Sequence, residues 1–410
     1  MDNEEEKESQ EKSDDILNKT FFNKYHCIKK LGEGSFGSIY KASYNGDFFA
    51  LKFEKINTGH NLLENEAIIM NYLKCPNIPF IKLFSSTSKY NILVMQLLGK
   101  SLENLFEERK KFSLKTVCMI GYQIVSILEN IHNKHILHRD IKPDNFALGL
   151  DDLSQYIYIL DFGLAKKYRS SRTLKQIPLV NKKKLTGTAR YASINALKGF
   201  EHSRRDDLEA VGYVLIYVLK GHLPWQGIPA KTKEERYRKI LRKKMQTSAK
   251  ELCSDIPEEF EKYIDYTRKL EYLEKPDYDM LKGLFNLMLK KDNSKFDYIY
   301  DWTTPEERLK RRAMTPKSEL ESTQNKKTTL ASYKQYGESK EENNDKNLFL
   351  TLEKNNHSKS NLNKNNSSLS KRNKENDKSD EPIIISKRLK RLDIISNDEE
   401  VVCCTGCSIY

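Results

Sequence analysis

The chain has 410 residues, of which 38% are hydrophobic, and its mean hydropathy of −0.71 excludes a protein packed as core from end to end. Lysine and arginine exceed aspartate and glutamate by 71 to 58, a net charge of +13. No nucleic-acid motif accompanies that excess, so it reads as attraction for acidic or phosphorylated partners, with no specific nucleic-acid partner expected. No apolar run reaches the roughly 18–20 residues that cross a bilayer, and the acidic, polar Met1–Asp15 stretch is unlike a secretory leader. Cys27, Cys75, Cys118 and Cys253 stand singly without metal-ligand spacing, which suits reduced thiols in an intracellular protein.

In chain order, residues 1–24 form an acidic arm with too little apolar content to fold alone, and folding is expected to start near Phe22 and Tyr25. From Tyr25 to Phe53, short β-prone runs broken by glycine and by Asn45-Gly46 predict a strand meander with a two-residue hairpin. The spacing of Leu62, Leu63, Ile69, Met70 and Leu73 predicts a helix over 61–74, and the chain returns to strand over 90–98. After Gly99 it turns helical, with apolar residues at intervals of three and four over 114–131 and a nearly all-apolar, buried helix over 211–219. The expected fold class is α+β and bilobal: a small β-rich N-lobe with one main helix over about 25–98, and a larger helical C-lobe over about 99–303. Residues 304–410, dominated by asparagine, lysine, serine and glutamate, read as a disordered tail.

Gly32-Glu33-Gly34-Ser35-Phe36-Gly37 lies between two strand-like runs, which removes the strand-to-helix context of a dinucleotide fold. A glycine-rich hairpin over phosphates fits better, because glycine lets backbone approach an anion with no Cβ in the way; the plainer alternative is a flexible turn. On the next strand Ala50 and Lys52 share a face, and Lys52 suits nucleotide phosphates if a carboxylate orients it. Glu66 on the following helix is the favoured partner and Glu64 the less favoured one; a surface ion pair is the alternative.

In His138-Arg139-Asp140-Ile141-Lys142-Pro143-Asp144-Asn145, Asp140 suits acceptance of a hydroxyl proton, Lys142 neutralisation of a moving phosphoryl group, and Asn145 ligation of Mg²⁺. Lysine at 142 points to serine or threonine as acceptor. Asp161-Phe162-Gly163, after the apolar strand over 156–160, supplies a second Mg²⁺ ligand in Asp161. The ordered set predicts a protein kinase that uses ATP and Mg²⁺.

Several segments then narrow the reading. They are Leu97-Leu98-Gly99-Lys100-Ser101-Leu102-Glu103, Asp161 to Tyr168, Leu185-Thr186-Gly187-Thr188-Ala189-Arg190-Tyr191-Ala192-Ser193-Ile194-Asn195, Ser203 to Glu209, Leu223-Pro224-Trp225-Gln226-Gly227 and Phe296 to Trp302. Across about Tyr25–Trp302 the chain resembles the casein kinase 1 family, whose mark is Ser-Ile-Asn where most protein kinases carry Ala-Pro-Glu. The resemblance implies that Met95 is the gatekeeper, that the backbones of Gln96 and Leu98 bond adenine, and that Leu31, Ile39, Ala50, Ala147 and Leu160 sandwich its ring. Gln96 departs from the family's glutamate and Ala147 from its leucine; the second change implies a larger pocket. Thr188 joins the implied catalytic set.

The family's preference for serine or threonine near a phosphoserine or acidic cluster implies an anion site at Arg190, Gly227 and Arg236, with Lys233 nearby, where Arg236 replaces a usual lysine. Arg139, Lys166 and Lys183 form a second implied basic pocket, against the alternative of a solvated lysine-rich face. Asp207 is expected to cap its helix and tether the catalytic loop, and activity is expected without activation-loop phosphorylation.

In the tail, Ser367, Ser368 and Ser370 offer sites for self-phosphorylation, with autoinhibition and inert linker both open. Ile385, Leu389 and Leu392, interleaved with basic residues, suit a basic amphipathic helix or a nuclear-import tract. Cys407 is fourth from the end, as in a prenylation box, but Ser408 and Tyr410 are atypical of one; the resemblance implies palmitoylation of Cys403 and Cys404, since plasma-membrane members of that family end in lipidated cysteines. Unmodified thiols are the alternative. The expected protein is a monomer in the cytoplasm with peripheral plasma-membrane association, or else one shared between cytoplasm and nucleus.

Overall fold

The computed structural model describes residues 16–34, 37–56 and 61–314; Ser35, Phe36 and every tail residue from 315 onward, including Cys403, Cys404 and Cys407, lie outside the described residues. The small lobe is one antiparallel sheet in the order β1-β2-β3-β4-β6-β5. Its strands are β1 (Thr20–Phe21), β2 (Tyr25–Gly34), β3 (Gly37–Tyr44), β4 (Asp47–Lys55), β5 (Ile81–Ser86) and β6 (Tyr90–Gln96). The expected hairpin joins β3 to β4, with Tyr44 paired to Asp47 and both Asn45 (φ 52°) and Gly46 (φ 85°) left-handed, the conformation that matches strand twist.

Alternation along β4 divides the lobe. Phe49, Leu51 and Phe53 pack with Tyr25, Tyr40, Ile92 and Val94 on the outer face, while Ala50 joins Leu93 and Met95 in the core that continues into the large lobe. Helix α1 (Leu62–Leu73) covers that inner face with Leu63, Ala67, Ile69, Met70 and Leu73. It ends where Lys74 turns left-handed and its N–H bonds the Met70 carbonyl.

The large lobe contains α2 (Leu102–Arg109), α3 (Leu114–Asn133), α4 (Ile194–Leu197), α5 (Arg204–Lys220), α6 (Lys233–Gln246), α7 (Ala249–Leu252), α8 (Glu258–Lys269) and α9 (Tyr278–Lys291). Short antiparallel pairs join β7 (Ile136–Leu137) to β10 (Lys166–Lys167) and β8 (Phe146–Leu148) to β9 (Ile157–Ile159). The all-apolar run at 211–219 is the latter part of α5, which α3 and α8 pack against. The segment from Phe296 to Trp302 closes this lobe: Asp301 accepts bonds from the Ser113 N–H (2.8 Å) and hydroxyl (2.6 Å) at the start of α3, and Asp297 pairs with Lys115 at 2.8 Å.

The folded region extends beyond the expected boundaries. Ile16, 3% exposed, packs with Tyr25 and Tyr40, and β1 pairs with β2, so residues 16–24 belong to the small lobe and not to a disordered arm. At the other end, helix α10 (Pro305–Met314) follows position 303, and Arg311 reaches back to the Ser154 hydroxyl at 3.1 Å. In both places a few apolar or long side chains reach the domain, although the surrounding composition is polar.

The helix crossings depend on missing side-chain bulk. A Cβ at Gly121 of α3 would lie 2.6 Å from the buried Phe285 ring and 2.9 Å from Leu215. Gly121→Ala is expected to lower unfolding free energy by about 1–3 kcal/mol through overpacking, read as a lower denaturant midpoint at unchanged slope.

Candidate active site

The inner face of the small lobe aims Lys52 of β4 at α1. Its Nζ lies 2.7 Å from Glu66 Oε2 and 3.1 Å from Asp161 Oδ1, so Glu66, and not Glu64, is the partner of Lys52. Burial opposes the Lys52 charge, but Asp161 and Glu66 outweigh it and hold the ammonium above its ordinary pKa. Burial would raise Asp161 too, yet Lys52 and Lys142 bring it down to about 2. Burial pushes Glu66 up to about 7 against the pull of Lys52; the 2.7 Å contact with a firmly charged ammonium argues for the ionised partner.

Two residues beside this triad set its geometry. Asn61 supplies no side-chain cap to α1; instead Glu54 of β4, 3% exposed, accepts the N–H groups of Leu62 (3.1 Å) and Leu63 (3.2 Å). Asn65 donates to the carbonyls of Gly163 (3.1 Å) and Ala165 (3.4 Å), tying α1 to the segment after Asp161. Phe162 is fully buried against His138, their ring centroids 5.1 Å apart.

The catalytic loop hangs on Asp207. Its carboxylate accepts the N–H groups of His138 (2.8 Å) and Arg139 (2.9 Å) and meets His132 Nε2 at 3.0 Å. Helix capping, expected of Asp207, falls instead to Asp206, which accepts the Ser203 N–H at 2.7 Å. Arg139, left-handed at φ 68°, is held by this pair of bonds and turns the chain so that Asp140 faces Thr188 and Lys142. Asp140 Oδ1 accepts the Thr188 N–H (3.0 Å) and hydroxyl (2.9 Å), and Oδ2 lies 3.1 Å from Lys142 Nζ and 3.3 Å from Asn145 Nδ2. Gly187, at φ 86°, permits the approach: a Cβ there would lie 2.4 Å from the Arg139 carbonyl.

The cleft between the lobes suits a nucleotide and a hard cation. Gly37, at φ 146°, admits no Cβ, which would meet the Phe53 carbonyl at 1.7 Å. At Gly32 a Cβ would meet nothing within 4 Å among the described residues, so their packing does not demand glycine there, whereas close approach of a phosphate to the backbone would. Gly34 closes the hairpin opposite Gly37. Ala50 and Met95 sit opposite each other on β4 and β6 and are buried, as is Ala147 on β8; Ile39 and Leu160 are half-buried, and Leu31 is exposed at the rim. Gln96 gives its N–H to the Phe80 carbonyl at 3.0 Å, and Leu98 follows in the stretch that joins the lobes. Asn145 donates its amide to the Asp140 carbonyl at 2.8 Å, which leaves its amide oxygen, with the Asp161 carboxylate, as the oxygen donor set for a divalent ion.

The two basic clusters differ. Arg139, Lys166 and Lys183 are gathered around the buried Glu201, 3.2 Å from Lys166 and 4.0 Å from Lys183, while the Arg139 Nε donates to the Leu164 carbonyl at 2.8 Å. This pocket already contains a carboxylate, which the sequence reading did not anticipate. At the other cluster, the Arg190 guanidinium lies 5.7 Å from the rings of Tyr191 and Tyr217, and its carbonyl accepts the Trp225 indole N–H at 2.7 Å, next to the left-handed Gly227. Lys233 and Arg236 are exposed on the first turn of α6.

Glu54, Asn65 and Glu201 were not singled out from sequence; the two flanking glutamates carry no motif, and only a position opposite an uncapped helix or between basic residues reveals them. Glu54→Ala is expected to cost about 0.5–2 kcal/mol of stability, the worth of a helix cap, and to reduce phosphoryl transfer several-fold by loosening the Lys52–Glu66 pair. Transfer at the wild-type rate in a folded Glu54→Ala protein would disconnect the cap from the ion pair.

A family model described as the protein kinase domain matches residues 25–295 of the 410, which takes in the glycine-rich hairpin, the lysine–glutamate pair, the catalytic loop and Asp161. Members of that family are phosphotransferases that use ATP with a divalent metal ion. The match and the bilobal fold agree, and the chain belongs to the protein kinase family.

Proposed function

We propose that this protein kinase transfers the γ-phosphoryl group of Mg²⁺-ATP to serine and threonine hydroxyls close to acidic or already phosphorylated residues, in the manner of the casein kinase 1 family. The observation that carries the reading is the setting of Asp140: one oxygen engages Thr188, the other faces Lys142 and Asn145. Asp140 accepts the acceptor hydroxyl's proton and aligns it for in-line attack. Lys142 offsets charge on the phosphoryl oxygens as they move, and Lys52, oriented by Glu66, holds the nucleotide phosphates. Asn145 and Asp161 would hold Mg²⁺, which their all-oxygen donor set favours over softer metals and which would neutralise phosphate charge.

Arg190, Gly227, Lys233 and Arg236 form the acceptor-side anion site. Support comes from the exposure of the two α6 cations and from Arg190 lying on the segment that begins at Thr188, the partner of Asp140. Activity independent of activation-loop phosphorylation is supported by Glu201, which gives Lys166 and Lys183 a built-in anionic partner. Acylation of Cys403 and Cys404, with peripheral membrane attachment, is a separate proposal on sequence alone. It predicts that a Cys403/Cys404/Cys407 triple serine variant leaves the membrane fraction; an unaltered distribution would remove it.

Purified protein is expected to phosphorylate acidic and pre-phosphorylated serine or threonine peptides with Mg²⁺-ATP, at higher kcat/KM than matched neutral peptides. Asp140→Asn is expected to lower kcat by about 10²–10⁴-fold, the worth of a positioned general base, with ATP affinity nearly unchanged. No transfer to any serine or threonine peptide beside an active control kinase would overturn the activity, and equal use of neutral peptides would overturn the anion preference.

A further inference from the structure

Lysine is rarely buried in full, yet Lys244, near the C-terminal end of α6, is 0% exposed. Its ammonium donates to the main-chain carbonyls of Ala189, at 3.2 Å, and of Ala192, and lies 4.5 Å from the Tyr213 ring centroid and 4.8 Å from that of Trp225. Burial drives its pKa well below the ordinary lysine value, with Glu209 opposing and Arg268 adding to that shift. Such a group persists inside a protein only where acceptors and ring faces replace water. Here the acceptors are two carbonyls of one short segment.

That segment is bound along nearly its whole length. Thr188 bonds Asp140 through its N–H and hydroxyl; the Arg190 carbonyl accepts from Trp225 Nε1 at 2.7 Å. The Ser193 hydroxyl donates to Asp206, and the Ile194 N–H donates to Glu209 at 3.0 Å. Asp206 and Glu209 belong to α5, whereas the bonds of Lys244 reach the segment from α6, the helix whose first turn presents Lys233 and Arg236.

We propose that Lys244 is a positioning residue for the protein acceptor: by bonding the carbonyls of Ala189 and Ala192 from within α6, it holds Arg190 on the segment and the α6 cations in fixed places relative to Asp140. This rests on the kinase reading and deepens its acceptor side. It assigns a specific job to a residue in contact with neither nucleotide site nor solvent.

The test is steady-state kinetics on the full chain, with ATP and with whichever serine or threonine peptide the wild type uses best. Lys244→Met keeps length and bulk but has no donor. Its KM for peptide is expected to rise about tenfold, the scale of two lost hydrogen bonds whose buried carbonyl acceptors are left unpaired, with KM for ATP and the dissociation constant of a non-hydrolysable ATP analogue within about twofold of wild type. Trp225→Phe, which removes the indole donor to the Arg190 carbonyl and part of the ring face over Lys244, is expected to shift the same parameter in the same direction. A peptide KM within about twofold of wild type in folded Lys244→Met would overturn the proposal, as would equal losses in peptide and ATP parameters, which mark general damage to the lobe. If Lys244→Met does not fold, Trp225→Phe decides by the same split. Because the readout does not presuppose an acidic or primed peptide, a failed anion preference would count against the proposed specificity and leave this inference standing.

Discussion

The buried carboxylate of Asp207 is the fixed point on which the catalytic side of the protein depends. Two consecutive backbone N–H groups, of His138 and Arg139, converge on it while Arg139 is held left-handed, a conformation that a non-glycine residue keeps only when its surroundings dictate it. Burial alone would favour the neutral acid, but the hydrogen bond from His132, followed by the bonds from the loop, depresses the Asp207 pKa below the ordinary carboxylate range. Burial in turn lowers the pKa of His132, whose Nδ1 meets the Tyr278 hydroxyl at 2.7 Å. With Nε2 donating to Asp207 and Nδ1 accepting from Tyr278, a neutral imidazole satisfies both. The network thus runs from α9 through α3 to α5 and ends on the loop that carries Asp140.

From that point the site extends in two directions by direct bonds. Upward, the Leu160 N–H bonds the Asn145 carbonyl at 2.8 Å, and Asp161 meets Lys52, which meets Glu66 on α1. Glu54 holds the start of that helix and Asn65 ties it to the carbonyls after Asp161. Downward, Asp140 engages Thr188, and the segment beyond it is bonded from α5 and α6. The reacting groups are therefore held by hydrogen bonds that do not depend on one another's charges alone, which is the arrangement a transfer reaction with little covalent chemistry requires.

Buried polar groups concentrate along this same path. Glu54, Glu66, Asp140, Asp206, Asp207, Glu201, Glu209 and Lys244 are each buried, and most of them face a backbone group or an opposite charge. Breaking such a contact leaves its partner unpaired in a medium that solvates it poorly, so these positions tolerate change less well than their lack of direct chemistry suggests.

Much of this was legible before the fold. Short-range rules determined the Asn45-Gly46 hairpin, the inner and outer faces of β4, the helix that carries Glu66 and the buried α5, because each depends on a period of two or 3.6 or on the φ that asparagine and glycine permit. The order of Lys52, Asp140, Asn145 and Asp161 along the chain determined the chemistry, since each motif is local. Tertiary structure alone decided the contacts between segments far apart in sequence: Glu201 inside the second basic pocket, Lys244 beneath the Thr188–Ile194 segment, and Asp207 drawn to His132 and the catalytic loop, which leaves the local cap of α5 to Asp206. It also decided which nearby side chains close the small lobe, with Glu54 reaching the start of α1 and Ile16 and β1 completing the sheet side. A glutamate or lysine that reads as solvated surface in sequence becomes structural once packing removes its water, and which of them lose it is settled by how the whole chain closes.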